Sequence, residues 1–263
     1  MDVQLVSKRA FISGSTQGIG FAIAQYLAQE GAEVILHGRT PAKVDKAVKR
    51  LAALVPEAIV TGMAADLSVQ EEVTTLLQQL PPVDILVNNA GIFEVKDFMD
   101  VTDDSWSHFF DINVMSAVKL SRQVLQGMLS RHWGRIIFIS SESGINVPGN
   151  MIHYGTTKAA MLALSNGLSK LTKGTQVTVN TILGGPTYSD GVAAAVEYIA
   201  ASHQQPAEVI RQQIMHSANP HSLLERFIDP AEIASLAVYL ASPLSSAING
   251  ASIRADGGVL RTL

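Results

Sequence analysis

The amino-acid sequence predicts an α/β fold, a doubly wound parallel sheet of seven strands with helices on both faces. Short apolar runs alternate with helical patterns along the whole chain, as is typical of βαβ units. A glycine-rich segment follows the first apolar run, and neither a repeat nor a Pro/Gly/Ser-rich linker interrupts the alternation. Since α/β folds of roughly 200–250 residues form one unit, we expect residues 1–263 to form a single domain.

Seven apolar runs are the predicted strands. Each lies between helical patterns, so each should run parallel to its neighbours. In chain order the runs are residues 10–12, 33–36, 59–63, 84–87, 135–139, 177–182 and 252–254.

The predicted helices have recognisable starts. Ser, Thr or Asp caps a helix, and Pro fits its first position. The capping signals are Thr40 before Pro41, a capping box of Ser68 with Glu71, and Asp229 before Pro230 with Glu232. Further helical patterns cover residues 19–30, 106–130 and 159–171. These signals predict structure and carry no functional meaning.

Composition and charge exclude several classes of partner. The net charge is −4 and the charges are scattered, so we expect neither nucleic acid nor an anionic membrane as the main partner. Charged residues make up only 16% of the chain, below the roughly 25% of typical soluble domains. Low charge favours additional buried surface, such as a contact between subunits.

Cysteine is absent, which excludes disulfides, thiolate catalysis and cysteine-bound metals. The seven histidines show no metal-binding spacing, so we expect no metal site. No apolar stretch approaches the ~20 residues of a membrane span, and no signal peptide precedes the first strand. We therefore expect a soluble cytoplasmic protein.

The segment between the first strand and the first helix is a predicted dinucleotide-binding turn with the spacing G-x-x-x-G-x-G. Glycine lets the backbone approach a pyrophosphate, and the amides at the start of the following helix favour a phosphate. A glycine cluster alone also fits a tight turn, but the strand-turn-helix context indicates a cofactor site. The predicted contacts are Gly14, Ser15, Thr16, Gln17, Gly18, Ile19 and Gly20.

The end of the second predicted strand indicates which nicotinamide cofactor is used. An NAD site usually has a carboxylate there, whereas this chain has Gly38 and Arg39. An arginine suits a 2′-phosphate, so we expect NADP(H) to be preferred over NAD(H), and we expect an aspartate at position 38 to reverse the preference. The alternative is that Arg39 is a solvated loop charge and both cofactors are used.

Residues after the third and fourth strands complete the predicted cofactor site. Asp66 is placed to accept a hydrogen bond from the adenine amino group, with Leu67 supplying backbone contacts. Asn88, Ala90 and Gly91 end the fourth strand, where small residues let the backbone run close to a ribose. A capping aspartate and an ordinary Asn/Gly turn are the structural alternatives.

Tyr154 and Lys158, with Ser141 and Asn113 upstream, form a predicted proton-handling site. The tyrosine and the lysine share a helix face one turn apart. A free tyrosine has a pKa of roughly 10, and a nearby cation lowers it. We therefore expect Lys158 to lower the pKa of Tyr154 and make it a general acid or base. Taken alone, such a pair also arises by chance.

Together these residues resemble the main single-domain branch of the short-chain dehydrogenase/reductase family, which has a Rossmann fold. The resemblance covers almost the whole chain, and several motifs in order make it specific. The matching positions are Gly14, Gly18, Gly20, Asp66, Asn88 to Gly91, Asn113, Ser141, Tyr154, Lys158, Val179 with Asn180, and Asp256 to Gly258.

The resemblance implies a role for each catalytic residue. Tyr154 would move the proton, and Ser141 would hydrogen-bond the substrate oxygen. Lys158 would lower the tyrosine pKa and, like Tyr154, contact the cofactor at its nicotinamide ribose. Asn113 would anchor a water molecule that relays protons to Lys158.

The chain departs from the family pattern after the sixth strand. Gly184-Gly185-Pro186 replaces the usual Pro-Gly, and Ser189 stands where a threonine is common. Gly185, Thr187 and Ser189 remain the expected nicotinamide contacts. The segment of about 184–228 does not follow the βα rhythm, and we expect it to form a lid over the substrate. Ordinary surface helices are the alternative.

The resemblance implies hydride transfer between a nicotinamide and a carbonyl or secondary alcohol, most simply as NADPH-dependent reduction. Glu94, Glu142, His153 and Asp190 are candidate pocket residues. A 3-oxoacyl-carrier-protein reductase of lipid synthesis is the second interpretation, and a non-catalytic nucleotide sensor is the third. By resemblance the helical patterns of 106–130 and 159–171 would pair into a homotetramer, with a dimer as the second choice.

Overall fold

The computed structural model describes residues 2–261 and contains one seven-stranded parallel sheet in the order β3-β2-β1-β4-β5-β6-β7. The strands are β1 Arg9–Ile12, β2 Glu33–Gly38, β3 Val60–Ala64, β4 Ile85–Asn88, β5 Trp133–Ser141, β6 Gln176–Gly184 and β7 Ser252–Ala255. All seven predicted strands are present, and the predicted fold class is confirmed.

Nine α-helices occur within the described residues. They are α1 Gly18–Gln29, α2 Pro41–Leu54, α3 Gln70–Gln79, α4 Asp103–Phe110, α5 Ser116–Ser130, α6 Ile152–Ser169, α7 Asp190–His203, α8 Ala207–Ala218 and α9 Pro230–Ala241. Helices α1, α2 and α9 share one apolar core with the sheet, and α3, α5 and α6 share the other. The inner strands β1, β2, β4, β5 and β6 are therefore buried on both faces, whereas the edge strands β3 and β7 are partly exposed.

The strand order reverses between β1 and β4, because the chain moves outward to β3 and then returns to the other side of β1. In an open α/β sheet such a point leaves a crevice at the carboxyl ends of the strands, where ligands bind. The glycine turn follows β1 there, Asn88 ends β4 and Ser141 ends β5. The fold thus gathers residues that are far apart in sequence.

A π-helical segment, Asp111–Met115, joins α4 to α5 without a break. The sequence pattern over 106–130 is thus one helical rod with a local change of pitch. Asn113 lies inside the π segment and is buried. Such segments are often found at functional sites.

For two of the three capping predictions, the helix begins at the predicted residue. Asp229 and Glu232 form a capping box at the start of α9, and Pro41 begins α2 after Thr40. The predicted box of Ser68 with Glu71 is wrong, because α3 begins only at Gln70.

Ser68 is instead held by Asp66. The Asp66 carboxylate accepts hydrogen bonds from the backbone N–H (3.0 Å) and the hydroxyl (2.7 Å) of Ser68. A local turn therefore uses the Ser68 backbone N–H that the capping box needed as a donor to Glu71.

The segment between β6 and α9 contains the helices α7 and α8, which pack on each other through Val196, Ala200 and Ile210. Its role as a lid stays a prediction. No helix between residues 2 and 261 is long and apolar enough to cross a membrane. Within the same range, no group of three or more His, Asp or Glu side chains is arranged to hold a metal ion.

Candidate active site

A cleft of about 430 Å³ lies at the carboxyl ends of β5 and β6, between the loop after β4 and the segment that contains α7 and α8. Ser141 and Tyr154 line it, together with apolar side chains on one wall and backbone of the loop after β6 on the other. The remaining lining residues are Ile19, Phe93, Val95, Ser140, Glu142, Ser143, Pro148, Asn150, Met151, Gly184, Gly185, Pro186, Thr187, Ser189, Val192, Ala218 and Asn219.

Tyr154 sits in the first turn of α6 and its phenol is hydrogen-bonded to Ser141 at the end of β5. The ring lies edge-on to Phe93, with 6.4 Å between the two ring centroids. Because a strand end and a helix start set these two residues, the pair is held by rigid elements.

Lys158 lies one turn after Tyr154 and is almost fully buried. Its ammonium donates a hydrogen bond to the carbonyl oxygen of Ile139, with 3.0 Å between the atoms, and lies 5.7 Å from the centroid of the Tyr154 ring. Burial lowers the pKa of Lys158 to about 8, and the charge of Glu142 opposes that effect. The lysine charge is therefore directed at the end of β5 as well as at the tyrosine.

The expected lowering of the tyrosine pKa is wrong for this arrangement. Burial raises the pKa of Tyr154 above its usual value; the hydrogen bond with Ser141 opposes this shift, and the charge of Glu142 adds to it. Removing a phenolate from water costs more than the hydrogen bond with Ser141 returns. The phenol therefore holds its proton across the neutral range.

Asn113 faces the same region from the π segment. Its side-chain oxygen accepts from the backbone N–H of Ile92 (2.8 Å), and its amide donates to the Ile92 carbonyl (3.0 Å) and to the Thr157 hydroxyl (2.9 Å). A Cβ built on Gly91 would lie 3.4 Å from Asn113 Oδ1 and 3.5 Å from Lys158 Nζ. The structure thus brings Gly91, Asn113 and Lys158 together.

The glycine turn has no room for side chains at two of its three glycines. A Cβ at Gly14 would lie 2.8 Å from Ala90 Cα, and one at Gly20 would lie 2.6 Å from the Gly14 carbonyl oxygen. The backbone therefore passes close to the end of β4, as expected at the first turn of a dinucleotide site. Thr16 to Ile19 remain at least partly exposed, and Gly18 begins α1. These residues fit a bound diphosphate.

Two residues to which the sequence analysis gave no individual role hold this turn. His37 in β2 accepts a hydrogen bond on Nδ1 from the Gly14 N–H (3.1 Å), and the Asn89 amide donates to the carbonyl oxygens of Ser13 (3.0 Å) and Gly14 (2.8 Å). The signal available in the sequence was their position, because both lie at the ends of strands that flank β1. Ser15 is buried, and its hydroxyl bonds the Ile12 carbonyl.

Arg39 is exposed at the end of β2. The pKa of Asp66 lies below its usual range, mainly because of the two Ser68 hydrogen bonds, and the charge of Arg39 contributes to the lowering. Arg39 and Asp66 therefore lie near each other in the structure. Position 38 cannot simply take an aspartate, because a Cβ on Gly38 would lie 2.4 Å from Thr16 Cγ2.

The other predicted cofactor residues after β3 and β4 are distributed between the surface and the core. Leu67 and Asn88 are buried, and the Asn88 amide donates to the Ser121 hydroxyl (3.0 Å). Ala90 is half-buried and Gly91 is exposed. The accessible backbone is therefore that of residues 90 and 91, whereas the Asn88 side chain faces α5.

The loop after β6 is well packed despite its unusual sequence. A Cβ on Gly185 would lie 2.6 Å from the Asp256 carbonyl oxygen, and the Thr187 hydroxyl donates to the Gly185 carbonyl (2.9 Å). Ser189 caps α7 and lies close to Gly18, since a Cβ on that glycine would be 3.4 Å from Ser189 Cβ. The loop thus connects the cleft to the glycine turn.

The candidate pocket residues Glu142, Glu94 and His153 are placed differently. Glu142 lines the cleft, whereas Glu94 lies 3.6 Å from the fully buried ring of His153, between Oε2 and Nε2. His153 packs against Trp106 and Phe109. Among the described residues that line the cleft, only Glu142 carries a charge.

Comparison with known proteins gives consistent results. A family model described as short chain dehydrogenase matches residues 8–199. The chain is 43% identical to the uncharacterized oxidoreductase YvaG of Bacillus subtilis (strain 168), with all of both chains covered. It is 29% identical to the 3-oxoacyl-[acyl-carrier-protein] reductase FabG of Aquifex aeolicus (strain VF5), over 98% of this chain and 100% of that one.

The crystal structure of L-sorbose reductase from Gluconobacter frateurii, complexed with NADPH and L-sorbose, has the same fold. It superposes on this chain with a TM-score of 0.92 at 30% identity, and all of both chains is covered.

Proposed function

Because the chain belongs to the short-chain dehydrogenase family of oxidoreductases, we propose that it is an NADPH-dependent enzyme that reduces a ketone or aldehyde to an alcohol. The observation that carries the proposal is the placement of Ser141 and Tyr154 on the wall of one cleft, with Lys158 buried behind the tyrosine. This is the arrangement that proton transfer to a carbonyl oxygen needs.

The chain's own residues fit a nicotinamide cofactor. The glycine turn would hold the diphosphate at the start of α1, with Ser189 approaching from the other side. Gly91, Tyr154 and Lys158 would contact the nicotinamide ribose, and Gly185 and Thr187 the nicotinamide itself. When bound, the cofactor supplies the hydride that the reaction requires.

We infer a preference for NADP(H) from the end of β2. Arg39 is exposed there, and the neighbouring glycine leaves no carboxylate to hold the ribose hydroxyls of NAD. The structural relative L-sorbose reductase was crystallised with NADPH, which supports the same choice.

Each of the four catalytic residues would have its own role in the reaction. Ser141 would orient the carbonyl oxygen, and the Tyr154 phenol would give that oxygen its proton as the carbonyl carbon receives the hydride. The carbonyl thereby gains one hydride and one proton and becomes an alcohol. Lys158 and Asn113 would return a proton to the phenolate through water. Because β5 and α6 hold Ser141, Tyr154 and Lys158 in fixed positions, little reorganisation is needed during the reaction.

The raised pKa of Tyr154 leaves the phenol protonated at neutral pH, which is the form that reduction of a carbonyl uses. A phenol that keeps its proton at neutral pH is ready to act as an acid, whereas oxidation of an alcohol needs the phenolate as a base.

A 3-oxoacyl-carrier-protein reductase is the second candidate, because the chain is similar to FabG of Aquifex aeolicus over nearly its full length. Such an enzyme would have to accept a substrate carried on an acidic protein. A non-catalytic nucleotide sensor is the third candidate, and the presence of all four catalytic residues argues against it.

One assay separates the three. The purified protein is incubated with NADPH and a panel of ketones and aldehydes, alongside a 3-oxoacyl thioester on its carrier protein, and the loss of NADPH absorbance is followed. We expect turnover of free carbonyl compounds. Turnover of the carrier-bound thioester alone favours the second candidate, and no turnover of any substrate despite NADPH binding favours the sensor.

We further propose a cytoplasmic homotetramer, with a dimer as the second choice. Trp106 and Phe110 in α4 are only half-buried, and Met115 in the π segment is exposed. Apolar groups left partly open along one helical rod support a subunit contact there.

A further inference from the structure

Glu142 occupies a position from which it can act on the substrate. It follows Ser141 at the end of β5, in a short 3₁₀ turn of Glu142–Gly144, and its side chain is half-buried. Among the described residues around the cleft it is the only charged one, and the facing wall includes the apolar side chains of Phe93 and Val95. A substrate that fills the cleft therefore meets one carboxylate.

The Glu142 carboxylate accepts hydrogen bonds from the hydroxyl groups of the two flanking serines. The Ser141 hydroxyl donates to Glu142 Oε2, and the Ser143 hydroxyl donates to Oε1 at 3.0 Å. The backbone N–H of Ser143 donates to Ser141 Oγ at 3.1 Å. A serine hydroxyl has a single proton. The Ser141 oxygen also pairs with the Tyr154 phenol. Because its one proton is directed at Glu142, Ser141 cannot donate a hydrogen bond to a carbonyl oxygen in this arrangement.

A substrate can release Ser141 if it brings a hydrogen-bond donor of its own. A hydroxyl group on the carbon next to the carbonyl would donate to the carboxylate in place of Ser141. The Ser141 hydroxyl would then be free to turn towards the neighbouring carbonyl oxygen. The carboxylate keeps the same number and kind of hydrogen bonds, because one neutral hydroxyl donor replaces another.

We propose that Glu142 makes the enzyme specific for carbonyl compounds that carry a hydroxyl group next to the carbonyl, as in ketoses and other α-hydroxy ketones. The proposal rests on the reductase function proposed above. A simple ketone offers no donor, so either Ser141 stays bound to Glu142 or the carboxylate loses a hydrogen-bond partner. A site built around such a hydrogen bond rejects analogues that lack it.

The test uses three ketones that differ only next to the carbonyl. They are 1-hydroxy-2-butanone, 1-methoxy-2-butanone and 2-butanone, each assayed with NADPH. The methoxy compound keeps the electron-withdrawing oxygen but cannot donate, so it separates hydrogen bonding from intrinsic reactivity. We expect kcat/KM for the hydroxy ketone to exceed that for the methoxy ketone by roughly 10- to 100-fold.

Glu142→Gln removes the charge with little change in size, and we expect the ratio of hydroxy to methoxy ketone to fall towards one. Glu94→Gln is the matched control, because Glu94 is a nearby glutamate that does not line the cleft. We expect this variant to keep the ratio of the unmodified enzyme. If Glu142 only supported the structure, its loss would lower the rates of all three ketones together and leave the ratio unchanged.

The outcomes distinguish this proposal from the reductase function itself. Equal rates for the hydroxy and methoxy ketones in the unmodified enzyme overturn the role of Glu142 and leave the reductase function standing, even if Glu142→Gln fails to fold. Turnover of other carbonyl compounds, with no turnover of these three ketones, likewise overturns the role of Glu142 and leaves the reductase function standing. No turnover of any carbonyl compound overturns both.

Discussion

The carboxylate of Asp190 accepts a hydrogen bond from the backbone N–H of Gly18, with 2.6 Å between Oδ2 and the nitrogen. Asp190 is the first residue of α7 and Gly18 is the first residue of α1. The N–H groups at a helix start carry partial positive charge and attract anions. A carboxylate from the predicted lid therefore binds the group that we expect to receive the cofactor diphosphate.

Replacing Asp190 should strengthen cofactor binding. A carboxylate and a diphosphate compete for the same N–H group, and a charge at a helix terminus contributes roughly 0.3–1 kcal/mol. Asp190→Ala should therefore lower the Kd of NADPH about two- to fivefold, as measured by the fluorescence of the bound nicotinamide. Glu197→Gln removes a negative charge from the exposed side of the same helix and should leave the Kd unchanged. Weaker binding in Asp190→Ala would contradict the competition.

Arg39 should set the preference between NADPH and NADH. A charge-assisted contact with the 2′-phosphate contributes on the order of 1.5–3 kcal/mol, which corresponds to roughly 10- to 100-fold. Arg39→Ala should remove most of the preference for NADPH in kcat/KM. Lys49→Ala is the control, because Lys49 is an exposed cation on α2, and this variant should keep the preference. Equal efficiency with both cofactors in the unmodified enzyme would contradict the assignment. An acidic substitution is better placed at 39 than at 38, where Thr16 is in the way.

Tyr154→Phe should abolish proton transfer but not cofactor binding. The ring and its packing against Phe93 remain, whereas the transferable proton is lost, so kcat should fall by roughly 10²- to 10⁴-fold. Lys158→Ala should lower both kcat and NADPH affinity. A Tyr154→Phe variant with near-normal turnover would show that another group supplies the proton.

The pH dependence of reduction follows from the same pair. The raised pKa of Tyr154 keeps the phenol protonated at neutral and mildly alkaline pH, so kcat should not fall there. Lys158 loses its charge as the pH rises through about 8. We therefore expect KM for NADPH to rise above that pH before kcat declines, and initial rates between pH 6 and 10 would measure it.

His37 should make the fold sensitive to acid. Burial lowers its pKa from 6.5 to about 4, against the smaller opposing effects of Ala65 and Asp66. The unfolded chain takes up the proton first, so the free energy of unfolding should fall as the pH drops from about 6.5 to about 4. The full loss is about 3 kcal/mol.

His37→Asn tests that sensitivity with an amide oxygen in place of Nδ1 as the acceptor for Gly14. Urea unfolding of both proteins across this range should show a smaller pH dependence in the variant. Parallel stability curves would contradict the assignment to His37. The glycine turn should also loosen in acid, because protonated Nδ1 no longer accepts the Gly14 hydrogen bond.

The expected tetramer depends on the apolar rod formed by α4, the π segment and α5. Sedimentation velocity at micromolar concentration should show a single species of four subunits. Met115→Glu places a charge on the exposed part of this surface and should shift the protein to smaller species without lowering its helix content. A stable monomer of the unmodified chain would contradict the assembly.

The fold was predictable because its signals are local. Each strand is a compact apolar run, and the turn after β1 carries glycines at positions where the structure leaves no room for a Cβ. Tyr154 and Lys158 were also identifiable, since their spacing on one helix and the family pattern both indicate them.

The sequence did not reveal which residues of different strands and helices contact each other. The hydrogen bonds of His37 and Asn89 to the glycine turn exist because β2 and β4 both flank β1. The pKa of Tyr154 depends on how completely the surrounding elements exclude water, which spacing alone does not give. The capping box at Ser68 failed because Asp66, two positions earlier, accepts from the Ser68 backbone N–H that the box would use.

The π segment Asp111–Met115 sets the rotational phase between α4 and α5. A π turn uses one residue more than an α turn, and each residue of an α-helix advances it by about 100°. With one residue deleted there, α5 would turn by that angle, and Leu120 and Val124, now buried against the sheet, would point elsewhere. The packing of α5 against the sheet therefore fixes the length of this stretch, although its residues lie within a helix and not in a loop.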